Sequence, residues 1–204
     1  MRGQLTPTLR IAAEGWFVLV LLLLAAALAA QAERWWLLTG LLGGITIAAI
    51  FFHDAPRHTV AKPLGVLAPL DGSVVFRREC HDPFLGREAI RIGIAVPWFS
   101  NYLLRAPVEG EVRAVDREPR QVSCLTTDEG EAILVVAGRG LLLGMRPIWA
   151  AYGERVGQGR ACGARRLLRQ IDVYLPAGCR VEVTLGQTVR CGETVLATLL
   201  RRSA

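Results

Sequence analysis

The side chains able to do chemistry are few and widely scattered. The three histidines are His53, His58 and His81, and no H-x-x-H or H-E-x-x-H pair or carboxylate cluster accompanies them. No metal site is expected from that inventory. The five cysteines, Cys80, Cys124, Cys162, Cys179 and Cys191, are odd in number and contain no C-x-x-C pair. They fit buried thiols in a reducing compartment better than a disulfide framework or a zinc site. Arg165, Arg166 and Arg169 could form a cationic rim facing phosphate groups, and a solvated charge run reads equally well. Arg105 reads either as a structural ion-pair partner or as a headgroup contact. Asp71 lies in Pro69-Leu70-Asp71-Gly72, a context that makes it first of all a turn former. Lys62, the only lysine, lies outside any hairpin, which excludes a lipoyl or biotinyl carrier domain.

What positions these groups is an apolar N-terminal part followed by a glycine-rich, arginine-rich part. Of 204 residues, 52% are hydrophobic and 21% charged, with 24 Lys+Arg against 18 Asp+Glu and a formal net charge of +6. The excess apolar content lies near the N-terminus, so the basic balance points to anionic headgroups. A nucleic-acid partner is not expected, because no basic stripe with interleaved aromatics and no recognisable module occurs.

Trp16 to Ala30 is a run of 15 apolar residues, and Trp35 to Phe52 a run of 18, with Gln31-Ala32-Glu33-Arg34 between them. A spanning helix takes about 20 residues. The reading is an anchor over residues 1–62 with two antiparallel membrane spans at about 12–30 and 35–52; one tilted span or a re-entrant hairpin is the alternative. A signal peptide fits poorly, because a second apolar run follows at once. Trp16, Trp35 and Trp36 sit where interfacial belts place tryptophan. Arg2 and Arg10 precede the first run and Arg57 and Lys62 follow the second. The positive-inside rule then puts the protein in the cytoplasmic membrane with its soluble domain facing the cytoplasm.

From residue 63 to 200, short β-type runs alternate with glycine turns. Strands are expected at 66–68, 73–76, 89–96, 133–137, 140–143, 171–175, 180–184 and 194–199, with a short helix near 99–104. That spacing indicates a mostly β fold, a compact sandwich or barrel-like domain. Ala68-Pro69-Leu70-Asp71-Gly72-Ser73-Val74 is echoed by Ala106-Pro107-Val108-Glu109-Gly110-Glu111-Val112, each a turn delivering the chain into a strand. Gly186 to Leu196 reads as a glycine-bracketed, lipoyl-like hairpin.

Several of these segments resemble one family. Phe51-Phe52-His53-Asp54-Ala55-Pro56-Arg57 is similar to the F-F-R-D-P-x-R segment after the anchor of short prokaryotic phosphatidylserine decarboxylases. Pro69-Leu70-Asp71-Gly72 resembles their P-A-D-G, and Arg105-Ala106-Pro107-Val108-Glu109-Gly110 their R-A-P-V-x-G. Ile171-Asp172-Val173-Tyr174-Leu175-Pro176 matches V-D-V-Y-L-P, and Gly192-Glu193-Thr194-Val195-Leu196-Ala197 matches the closing G-E-T-V-L-A.

The resemblance implies a self-cleaving enzyme whose serine, in a G-S pair, becomes a pyruvoyl group assisted by an aspartate and a histidine. Counting back from Asp172, the family's F-G-S-R-V-D falls on Leu167-Leu168-Arg169-Gln170-Ile171-Asp172. The glycine is thus Leu168 and the serine Arg169, whose guanidinium is no nucleophile. Tyr102 stands at the histidine position, and only Asp71 is kept. No pyruvoyl cofactor is expected. The reading is therefore a non-catalytic relative, a lipid-binding or regulatory element in phospholipid metabolism. Its partners would be membrane phospholipids and an active homologue or a second copy of itself. The alternatives are a carboxy-lyase making phosphatidylethanolamine with a relocated nucleophile, and a structural membrane-associated β module.

Overall fold

The computed structural model describes residues 10, 11, 13–51, 53, 54, 59, 62–98, 100, 103–117, 120–138, 152–164 and 168–200. The chain divides into two units, Met1–Pro56 and Arg57–Ala204.

The first unit is a helical hairpin. A short strand β1 (Arg10–Ile11) precedes helix α1 (Ala13–Gln31), and helix α2 (Trp35–Phe51) runs into β2 (His53–Asp54). β1 and β2 pair antiparallel, with Arg10 opposite Asp54. Glu33 takes the left-handed conformation (φ 54°), and the amides of Glu33 and Arg34 return to the carbonyls of Ala30 and Ala29. That closes α1. Leu19, Ala26, Ala29 and Ala48 are buried, and Gly44 lies against Leu22, so small residues let the helices approach. Phe17, Leu28, Trp35, Trp36 and Ile47 are exposed.

The expected two spans take the form of this hairpin, and its lengths correct the reading. The apolar run of α1 is 15 residues and α2 is 17 residues. At 1.5 Å per residue these are about 22 and 25 Å long, short of a hydrocarbon core of about 30 Å. Among the described residues, no helix is long and apolar enough to cross a membrane.

The second unit is built from strands. In chain order they are β3 (Gly65–Leu67), β4 (Gly72–Asp82), β5 (Arg87–Ala95), β6 (Leu103–Arg105), β7 (Gly110–Arg117), β8 (Arg120–Thr126) and β9 (Ala132–Ala137). They continue with β10 (Arg155–Val156), β11 (Ala161–Ala164), β12 (Gln170–Pro176), β13 (Arg180–Val181), β14 (Thr188–Val189) and β15 (Val195–Thr198). One eight-stranded antiparallel sheet has the order β10-β7-β8-β9-β12-β5-β4-β14. β13-β15-β3 and β11-β6 form two smaller sheets.

The expectation of a mostly β domain holds, but the large sheet does not close into a barrel: its outer strands, β10 and β14, each pair on one side only. β12 lies near its middle, and Ile171 to Leu175 are buried without interruption. Ile171, Val173 and Leu175 face Ile94, Ile92 and Ile90 across the β5 ladder. Tyr174 turns to the other face, packed with Ala89, Val122, Cys124, Leu134 and Val136. The strand expected at 171–175 is thus present, buried on both faces and with Asp172 as the charged residue inside it.

The repeated A-P-x-acid-G-x-V motif has a mechanical cause. A Cβ on Gly72 would stand 2.2 Å from the carbonyl oxygen of Ala95, and one on Gly110 would stand 2.3 Å from that of Thr126. Each glycine lets a turn bring its strand hard against a neighbouring backbone.

Two other expectations are overturned. The segment 186–196 is not a hairpin, because β14 pairs with β4 and β15 with β3. The amides of Glu193 and Thr194 both return to the carbonyl of Arg190, and this turn redirects the chain between sheets. Leu103 and Leu104, the end of the expected helix, belong to strand β6. The strand expected at 140–143 lies outside the described residues. β14 covers only Gly72 and Ser73, so from Val75 onward β4 is paired on its β5 side alone among the described residues.

Candidate functional site

The Asp71 turn enters β4 and is pinned from two directions. The amide of Cys191 donates to Asp71 Oδ1 at 2.7 Å, and the amide of Gly192 to the carbonyl of Ala68 at 2.9 Å. From the other side, the Arg105 amide donates to the carbonyl of Pro69 at 3.0 Å. The Cys191 thiol is buried against the same carbonyl, 3.1 Å away, and lies 3.6 Å from that of Leu103. Asp71 and Arg105, named separately from the sequence, are therefore brought together through one proline carbonyl.

Arg105 is half-buried, and its Nη1 donates to the carbonyl of Gly159 at 3.0 Å. This contact holds backbone and is neither the ion pair nor the headgroup contact read from the sequence. It fixes the approach of β11 to β6, whose register sets Arg105 opposite Ala161. On β11, the Cys162 thiol points at the carbonyl of Leu104, 3.6 Å away. Burial pushes this thiol up to about 12, far from a reactive thiolate.

Leu168 and Arg169 lead into β12. The Val96 amide donates to the carbonyl of Arg169 at 3.0 Å, and the Gly138 amide to that of Gln170 at 2.9 Å. The carbonyls of the two residues that follow Leu168 are thus held by neighbouring segments. Leu168 is 1% exposed. The Arg169 guanidinium lies over Trp98, its carbon 3.9 Å from the ring centroid. Its Nη1 is buried and meets no acceptor among the described residues.

Gln170 faces Ala95 on β5, and Ala95 faces Ser73 on β4. Asp71 and Arg169 therefore lie at the same end of the sheet with β5 between them, roughly 10 Å apart at two strand spacings. Tyr102, Arg165 and Arg166 lie outside the described residues. Cys191 and Trp98 were not singled out from the sequence as site residues. Nothing in the spacing of Cys191 points to Asp71, which lies far off along the chain.

Next to this end, Asp172 is buried and accepts from Arg91 Nη2 at 2.5 Å and from Gln170 Nε2 at 2.8 Å. Burial works to lower the Arg91 guanidinium, and the hydrogen bond and charge of Asp172 outweigh it, leaving it raised. Arg91 also lies over Phe76 and Tyr174, at 5.1 and 5.5 Å. Asp172 and Tyr174 are both tied into the sheet through Arg91.

The arrangement offers little to a self-cleaving reaction. Leu168-Arg169 carries no hydroxyl or thiol, so the residues present do not fit a pyruvoyl group. The one Gly-Ser pair, Gly72-Ser73, is held in the ladder between β14 and β5. Cys162-Gly163 has the reverse order and a buried, protonated thiol. Among the described residues, no group of three or more potential ligands could hold a metal ion.

No family model matches the chain, and no solved structure matches it. Curated relatives do. The chain is 32% identical over 208 residues to the phosphatidylserine decarboxylase proenzyme of Cupriavidus pinatubonensis (strain JMP 134 / LMG 1197), covering 93% of this chain and 95% of that protein. It is 30% identical over 211 residues to the proenzyme of the same name from Burkholderia vietnamiensis (strain G4 / LMG 22486), covering 93% and 96%. The proenzyme of Burkholderia multivorans (strain ATCC 17616 / 249) matches at the same identity and length. Sharing that identity with these proteins over nearly the full length of each, the chain belongs to the phosphatidylserine decarboxylase family.

Proposed function

We propose that this chain is a non-catalytic member of its family, retaining the β fold as a lipid-binding or regulatory element of phospholipid metabolism. The observation that carries the reading is Arg169 at the position that the resemblance assigns to the processing serine, next to a buried Leu168. The guanidinium resting on Trp98 supports it, since a side chain held this way is part of the local packing.

The helical hairpin is its attachment to the cytoplasmic membrane. The exposed apolar side chains around both helices support that, and a locally thinned bilayer accommodates helices of this length. The positive flanks favour a cytoplasmic β domain. Membrane phospholipids, an active homologue or a second copy of the chain are its partners.

The test is the intact mass of the full-length protein, extracted from membranes and measured under denaturing conditions. A single species near 22.2 kDa is expected. Two fragments, the smaller beginning near residue 169 with a blocked N-terminus, would overturn the reading. The identity shared with proenzymes favours a second reading, a phosphatidylserine decarboxylase with a relocated nucleophile. Carbon dioxide release from phosphatidylserine by the purified protein would establish it.

A further inference from the structure

Three arginines of the β unit each carry a buried nitrogen without a hydrogen-bond acceptor: Arg87 and Arg91 at Nε, and Arg169 at Nη1. The first two are otherwise compensated. Arg87 donates to the carbonyl of Ala132 and lies 3.8 Å from Glu131, and Arg91 is paired with Asp172. Arg169 differs. Among the described residues no carboxylate pairs with it, and its side-chain contact is the face of Trp98. A half-buried guanidinium with a terminal nitrogen shut away from water and from any acceptor is costly, and an anion is what offsets that cost. The terminal nitrogens of arginine form the fork that matches carboxylate and phosphate oxygens.

From this we infer that Arg169 is the seat of an oxyanion, a carboxylate or phosphate group that accepts from Nη1 while the guanidinium stays stacked on an aromatic face. This deepens the non-catalytic reading above and rests on it. The serine position would have changed from a group that reacts with the ligand to one that holds its charge. Trp98 is the cover over the seat. It is 61% exposed, it follows the end of β5, and moving its ring breaks no strand pairing. The anion therefore reaches Nη1 as the indole shifts, and binding changes the surroundings of Trp98. The same chemistry serves a free phosphate or the headgroup of an anionic phospholipid.

The test uses the full-length protein in zwitterionic detergent, with Trp98→Phe as reference so that the fluorescence of Trp98 is read by difference. The probes are inorganic phosphate, glycerophosphoserine, and phosphatidylcholine vesicles with and without phosphatidylserine. A saturable change in the Trp98 signal is expected. Arg169→Gln should weaken it by at least about tenfold and Arg169→Lys by less, because lysine keeps the charge and loses the fork. Equal response to phosphate and glycerophosphoserine identifies a free anion as the ligand. Response only to glycerophosphoserine and phosphatidylserine vesicles identifies the lipid.

No saturable change with any probe would overturn the inference, as would parental affinity in a folded Arg169→Gln protein. If Arg169→Gln does not fold, Arg169→Lys decides: affinity unchanged from the parent overturns the seat. Failure of binding by a chain of single intact mass removes the anion seat and leaves the non-catalytic reading standing. Two fragments remove that reading first.

Discussion

Asp71 Oδ1 takes the amide hydrogen of Cys191 at 2.7 Å, closing a loop of 120 residues with one charge-assisted bond. The aspartate that the family resemblance marks as catalytic also fastens the turn entering β4 to the turn leading to β15. Asp71→Ala should cost roughly 1.5–3 kcal/mol, the usual worth of a hydrogen bond to a charged group, and Asp71→Asn less because an acceptor oxygen remains. Urea unfolding of the full-length chain in detergent measures both. Unchanged stability in Asp71→Ala would remove the fastening role.

The buried ion pair of Arg91 and Asp172 makes a sharper prediction. The Asp172 side chain is 2% exposed, and Asp172→Ala leaves a guanidinium on the sheet without its counter-charge. The expected loss is about 3–5 kcal/mol. Replacing both residues with apolar ones of similar volume should recover much of it. Additive losses in the double variant, measured by the same unfolding, would show that the two side chains do not act as a pair.

Cys162 links stability to alkaline pH. Its thiol is raised by burial to about 12, while the unfolded chain releases that proton near 8.5. The folded state therefore holds the proton longer. This stabilisation is fully present below about pH 8.5 and is lost as pH rises toward 12. Cys162→Ala should flatten the decline in unfolding free energy above pH 9, by up to about 1.4 kcal/mol per pH unit where only the unfolded thiol ionises. Burial also raises Cys124 and Cys179, so part of the slope should persist. A slope unchanged by Cys162→Ala would assign all of it elsewhere.

Gly72 and Gly110 should respond alike to alanine, since both would drive a Cβ to within 2.3 Å of a backbone oxygen or closer. Backbone cannot step aside as a flexible side chain can. Each substitution should cost about 1–3 kcal/mol, as overpacking does. Gly86→Ala is the contrast in space, because nothing lies within 4 Å of its Cβ; its positive φ of 65° leaves only the smaller backbone cost. Thermal unfolding of the three variants checks the order.

The fold was legible where burial imposed a pattern. Ile171 to Leu175 read as a strand from its β-branched and aromatic residues, and the twice-used A-P-x-acid-G-x-V motif announced two tight strand entries. β8 escaped notice and β7 was read only at its entry, because their segments, R-Q-V-S-C-L-T and G-E-V-R-A-V-D-R, dilute short apolar alternation with charge. The 186–196 segment misled for the opposite reason. Its glycines do mark a turn, but local sequence does not state which sheet receives each arm. At the candidate site, counting from Asp172 sets Arg169 at the position that the resemblance assigns to serine. Its stacking on Trp98 was not legible, because that contact depends on how β12 meets the end of β5.

One consequence follows from the brevity of β14. Beyond Val75, where no strand among the described residues pairs with it, the outer rim of β4 presents backbone donors and acceptors that another chain's strand could take up, the usual opening for aggregation. The side chains there are a counter-measure: Arg77, Arg78, Glu79 and His81 are all exposed, so an incoming strand would have to lie along a run of polar and charged side chains. Apolar replacements at Arg77 and Arg78 would leave the monomer's packing nearly untouched, yet the protein should pass into insoluble material at concentrations the parent tolerates. Solubility in this chain is thus decided by side chains that contribute little to its folding.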